Sequence, residues 1–160
     1  MSKKLPSCGL YRTTQAHPDR PTQVPVGQLV HFHNHSDAGH PIILLPKANV
    51  SNTWNFESKG FLVKDASWCS SLVGLLPEGF YRLGEALRMP DGRVVPNGQV
   101  VQVGYNRAGE PIAFFGTWSK DSNTLTFSTK GSKLSERAIA GLTPLAHGGP
   151  AMPTATGGHP

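Results

Sequence analysis

The densest run of groups able to do chemistry is His31-Phe32-His33-Asn34-His35, with an imidazole at every second position. On an extended strand, residues i and i+2 lie about 6.6 Å apart on one face. Two imidazoles at that spacing can reach one metal ion about 2.0–2.1 Å from each nitrogen. His40 or His17 would complete three or four ligands; no cofactor is the first expectation, and one zinc or other transition-metal ion on this set is the alternative, against a polar strand face that simply uses His where the second copy uses Gln102 and Asn106. A metal held by three side chains with an open position activates water. The nearest carboxylate, Asp37, falls in the turn that follows and has no obvious place among the ligands.

The remaining catalytic inventory is thin. Paired carboxylates, a Ser/His/Asp order, a phosphate-cradling Gly loop and a Cys-x-x-Cys pair are all missing. Cys69 sits in a helical stretch and reads as a small buried apolar residue, and with Cys8 it allows one disulfide at most. This scarcity argues against an enzyme and against any cofactor beyond that single metal. The first expectation is therefore a non-catalytic binding or assembly module, acting by protein–protein contact or self-association. A metal-binding protein or metal-dependent enzyme built on His31, His33 and His35 is the alternative.

The elements that position these residues are written twice. Val24-Pro25-Val26-Gly27-Gln28 opens an alternating strand, a Gly-centred turn and a Pro-Ile return strand, and Val95-Pro96-Asn97-Gly98-Gln99 opens the same sequence of features. Alternation places Val30 and Phe32 on one face and Leu29, His31, His33 and His35 on the other. In the second copy Val101, Val103 and Tyr105 oppose Gln102 and Asn106, so the Val/Phe face is the expected core. The first copy is one residue longer before its turn, which predicts a β-bulge around Asn34 that re-aims His35. Asn106-Arg107-Ala108-Gly109 suits a type I turn closed by a Gly bulge.

Further echoes follow in the same order. Gly9-Leu10-Tyr11-Arg12 returns as Gly79-Phe80-Tyr81-Arg82, and strands expected at 53–60 and 124–131 both end in Lys-Gly. Asp65 and Ser135 can cap helices expected from Ala66 to about Leu75 and from Glu136 to about Leu142. Four echoes in register predict an internal duplication. The expected organisation is a flexible lead over 1–8, a first β repeat over 9–77, a second over 79–144, and a disordered Gly/Pro-rich tail over 145–160. With only Glu78 between them, the repeats are expected to form one pseudo-two-fold body. The fold class is all-β with two short helices, each repeat a small SH3-like β-barrel or a curled sheet.

Partner-binding candidates come from the same alignment. Tyr11-Arg12 and Tyr81-Arg82 repeat at equivalent places, where Arg can pair with an anion and Tyr can stack. Trp118 falls in an expected loop before a strand and is the candidate for an exposed anchor. Trp54 reads as a core residue and Trp68 as the seam between the first helix and the sheet.

Gly 18 and Pro 14, against a charged fraction of 16%, fit many turns and short strands. A net charge of +5 admits nucleic acid as a partner, but the cations are scattered and exposed aromatics interleaved with a basic stripe are not evident. Protein partners or self-assembly therefore rank first. No span of about twenty apolar residues and no secretory segment is present, so neither a membrane partner nor an oxidising compartment is expected. Cytoplasmic residence is the default.

Overall fold

A computed structural model describes residues 4–145. The expected tail over 145–160 therefore lies outside the described residues except for Leu145. The chain is mostly β, with two short helices and several sheets, none of them closed into a barrel. It divides into two compact units. The first holds the residues up to Glu78 together with Gly104–Ile112; the second holds Gly79–Val103 and the residues from Ala113 onward.

In the first unit the elements are β1 (Gly9–Arg12), β2 (Leu29–His33), β3 (Ile42–Leu44), β4 (Pro46–Val50), β5 (Thr53–Phe56), β6 (Phe61–Leu62), α1 (Ala66–Cys69) and β7 (Val73–Gly74). One sheet runs β6-β3-β2-β1-β7, and β4 pairs separately with β5. Alternation decides the core: Val30, Phe32 and Ile43 point inward and join Val24, Val63, Trp68, Cys69 and Leu72. The edge strands β6 and β7 are two residues long, too short to curl round and meet, so the sheet stays open. The expected small barrel is thus replaced by an open sheet. Residues 5–8, read from sequence as part of a flexible lead, are held in place. Leu5 packs on the core, the Tyr11 hydroxyl donates to the Ser7 carbonyl at 2.7 Å, and the Asn34 amide donates to the Pro6 carbonyl at 3.2 Å.

In the second unit the chain runs through β8 (Gly79–Arg82), β9 (Leu87–Arg88), β10 (Val94–Val95), β11 (Val100–Tyr105), β12 (Pro111–Ser119), β13 (Thr124–Phe127), β14 (Ser132–Lys133), α2 (Glu136–Ala140) and β15 (Thr143–Pro144). The order is β13-β12-β11-β8-β15, with β14 also on β12 and β9 paired with β10. The tip of the β11–β12 hairpin, Gly104–Ile112, belongs to the first unit. Its turn forms as expected: Gly109 N–H donates to the Asn106 carbonyl at 3.0 Å, and Gly109 sits at φ +71°, where an L side chain is strained.

Registers agree pair by pair. Gly9 faces Phe32 and Arg12 faces Leu29; Gly79 faces Val103 and Arg82 faces Val100. Arg12 pairs with Val73 in β7, and Arg82 pairs with Thr143 in β15.

Both helices are shorter than expected. Asp65 caps α1 by accepting from Ser67 N–H at 2.9 Å, but the helix ends at Cys69. The Ser71 hydroxyl donates back to the Trp68 carbonyl, and β1 then takes Val73–Gly74 as a strand, which a longer helix would forbid. Likewise α2 stops at Ala140, because β8 pairs with Thr143–Pro144. No helix among the described residues is long and apolar enough to cross a membrane.

Candidate functional site

Of the candidate histidines, only His31 and His33 lie on β2 in the first unit. His31 and His33 stack, with ring centroids 4.5 Å apart, as residues two apart on one strand face should. β2 ends at His33, which pairs with Ile42, so the extra residue near Asn34 lies in the turn rather than in a bulge. His35 is exposed, and its Nδ1 lies 2.8 Å from Asn34 Oδ1. His40 is exposed in the turn. His17 is buried at 1% exposure and committed on both sides: Nδ1 accepts from Asp19 N–H at 3.1 Å, leaving Nε2–H to donate to the Leu62 carbonyl. It is a core tautomer held in place, not a spare ligand. Among the described residues no three of His, Cys, Asp and Glu gather in a metal-holding arrangement.

Beside β2 lies a cleft of about 430 Å³, whose lining includes Cys8, Tyr11, His31, Trp54, Phe56 and Glu78. Two of its groups have shifted protonation. Burial, then the neighbouring His33, holds the His31 pKa below the ordinary imidazole value. Its Nδ1 is buried without a hydrogen-bond partner. Burial raises the Glu78 carboxyl, opposed by the Trp54 backbone N–H, which lies 3.2 Å from both carboxylate oxygens. The Cys8 thiol is exposed and free, with His35 Nδ1 3.9 Å from its sulfur. That nitrogen lies nearer to Asn34 Oδ1, to which the Cys8 thiol also donates at 3.4 Å. Cys69 is a free thiol in the core, as its sequence position suggests, and its pKa is raised by burial and then by Asp65.

The Trp54 indole forms one wall of the cleft and is only half-buried, not core. The hairpin tip contributed by residues 104–112 covers it. Trp54 Nε1–H donates to the Tyr105 carbonyl at 2.6 Å, and the Arg107 guanidinium lies 4.9 Å from the ring centroid. Arg107 Nη1 donates to the Pro46 carbonyl at 3.0 Å, while Leu29 N–H donates to the Arg107 carbonyl at 2.8 Å. The Tyr105 hydroxyl donates to the Leu76 carbonyl at 2.7 Å. Gly109 rests on Arg12, whose Cβ lies about 3.1 Å from where a glycine side chain would begin.

In the second unit the face equivalent to Trp54 and Phe56 is open. Trp118 pairs across strands with Leu125, and Gly116 with Phe127. Leu125 and Phe127 lie over Gly116, and Phe127 meets the Phe80 ring at 5.1 Å. Trp118 is 55% exposed, Phe80 46% and Leu125 42%. Trp118 lies within β12 rather than in a loop, yet it faces solvent.

The Tyr-Arg pairs differ in exposure. Tyr11 is half-buried against Phe32, and Tyr81 is buried, which also raises its pKa. Arg82 is exposed and donates to the Gly98 carbonyl at 3.1 Å. Sequence reasoning missed Arg107, Glu78 and Cys8. Each acts on residues between 24 and 61 positions away, which no local pattern reveals. The chain matches no family model, no curated protein and no solved structure.

Proposed function

We propose that the chain is a non-catalytic binding and assembly module on a duplicated, curled-sheet scaffold, engaging protein through the Phe80/Trp118/Leu125/Phe127 face. The observation that carries this reading is an apolar sheet face left open to solvent, with its largest side chain 55% exposed. Contiguous apolar faces of this kind on soluble chains mark interaction surfaces, and Trp is enriched among the anchors of such surfaces. The matching registers of β1–β2–β7 and β8–β11–β15 support the duplication. A photoreactive phenylalanine analogue at position 118 tests the reading. Illumination in cell extract should yield a protein adduct that Leu125→Glu abolishes. Adducts to nucleic acid alone, or none, would overturn it.

The second reading is metal binding on the His31–His33 pair. What favours it is the unpartnered Nδ1 of His31, kept neutral by its lowered pKa and so ready to be a ligand. Elemental analysis of untagged protein purified without chelator decides it. One equivalent of transition metal, lost in the His31→Ala/His33→Ala variant, supports this reading; metal-free protein removes it.

A further inference from the structure

The cleft beside β2 lies wholly within the first unit, and three of its walls are aromatic: Tyr11, Trp54 and Phe56. Each ring is already held by its own unit. The Tyr11 hydroxyl is committed to the Ser7 carbonyl and the Trp54 indole N–H to the Tyr105 carbonyl. The Phe56 ring meets the His31 ring edge-on, with centroids 5.4 Å apart. Rings fixed in this way offer a ligand apolar area and the negative face of a π-system, but no further hydrogen bond.

Glu78 supplies what the rings lack. Its carboxyl is half-buried in the cleft and accepts from the Trp54 backbone N–H, which both oxygens share at 3.2 Å. A carboxylate has about four lone-pair sites, so most of its accepting capacity is unused. Among the described residues no lysine or arginine pairs with it; the ion pairs of the second unit, Arg93–Asp91 and Arg137–Glu85, lie elsewhere. Burial without a cation is what raises its pKa, and a desolvated carboxylate is costly until an opposite charge joins it. The rest of the cleft does not repel such a charge. Arg107 stands on the Trp54 ring but is not among the lining residues, and burial and His33 hold His31 toward its neutral form.

We infer that this cleft binds a primary amine on an apolar stem, with the ammonium group on Glu78 and the stem against Tyr11, Trp54 and Phe56. The three N–H donors of an ammonium match the unfilled lone pairs of Glu78, and the rings add cation–π attraction and apolar contact. At about 430 Å³ the cleft has the size of a small-molecule site. The inference goes beyond both readings above: it uses neither the Phe80/Trp118 face, which belongs to the second unit, nor a metal on His31 and His33.

Phenethylamine is the probe, titrated into isotope-labelled full-length protein and followed by NMR. A chelator in the buffer keeps any metal on the histidines from acting as the ligand. The backbone and indole N–H signals of Trp54 should shift and saturate. Phenethyl alcohol, of the same shape without the charge, should bind about tenfold more weakly or worse, and hydrocinnamate, of opposite charge, should not saturate. Glu78→Gln keeps an oxygen for the Trp54 N–H and removes the charge, so it should stay folded by circular dichroism and lose the preference for amine over alcohol. Lysine blocked at both backbone ends presents the same head on a different stem. If it binds more tightly than phenethylamine, the amine is that of a lysine side chain; if more weakly, it is a free arylalkylamine; both results support the site. Equal binding of amine and alcohol by the wild-type chain overturns the inference. So do a Glu78→Gln variant that keeps the preference, a Trp54 signal that never moves at millimolar amine, and shifts confined to the Trp118 indole.

Discussion

His31 shows how one side chain can be read two ways from its spacing. Its partner at i+2 stacks on it as strand geometry requires, yet burial and that same partner make its protonated form costly. The linkage sign follows. With a folded pKa below the unfolded value of 6.5, the unfolded chain binds more protons, so stability is full above 6.5 and is lost as pH falls toward the lowered folded pKa. In the matching register of β8 and β11, Gln102 stands where His31 stands in β1 and β2, showing that an uncharged amide is compatible with such a strand. Urea unfolding of His31→Gln should therefore depend less on pH than wild type below 6.5, with the two curves differing least above it. Equal pH slopes in the acidic range would show that His31 does not carry the effect. Glu78 behaves with the opposite sense: a raised carboxyl pKa favours the protonated form of the folded state, so ionisation weakens the fold as pH rises.

Elements in this chain are short, and close backbone approaches join them. A Cβ on Gly60 would land on the Ile43 carbonyl oxygen. That carbonyl has nowhere to go, because Ile43 is paired with Phe32 on one side and Phe61 on the other. Gly60→Ala should therefore destabilise by about 1–3 kcal/mol, the usual cost of overpacking a filled site, measured as a lower urea midpoint with an unchanged slope. An unchanged midpoint would mean that β3 can shift. The Lys59-Gly60 dipeptide that follows β5 and its echo at Lys130-Gly131 were visible as a repeated pair, but the reason for the glycine at 60 lies in β3, seventeen residues earlier.

At the scale of the whole molecule the controlling feature of the first unit is the docked tip. Arg107 ties it down through the Trp54 ring and the Pro46 and Lys47 carbonyls. Removing a cation–π contact and hydrogen bonds from a charged donor costs about 1–3 kcal/mol. Arg107→Ala should show a loss of that size in urea unfolding, together with faster hydrogen exchange at Leu29 N–H, whose acceptor is the Arg107 carbonyl. A stability loss without faster exchange at Leu29 would mean that the tip stays docked by Tyr105 and Trp54 alone.

Much of the fold was legible from residues a few positions apart. Side-chain alternation selected Val30, Phe32, Val101 and Val103 as core. The V-P-x-G-Q frame set matching strand starts, the turn at Gly109 formed as its sequence requires, and Asp65 and Ser135 cap the helices they precede. These features rest on local geometry, where period, turn chemistry and capping act within four or five residues. The fates of the aromatic and titratable side chains were not local. Trp54 is covered because a tip from position 104 onward reaches it, whereas its counterpart Leu125 and the adjoining Trp118 stay open. His17 became a core residue through a carbonyl 45 positions away, and both helices were cut short because β1 and β8 take the residues after them as strands. Matching stretches carry the same local instructions, but each buries what its distant neighbours happen to cover, and only tertiary contacts decide that.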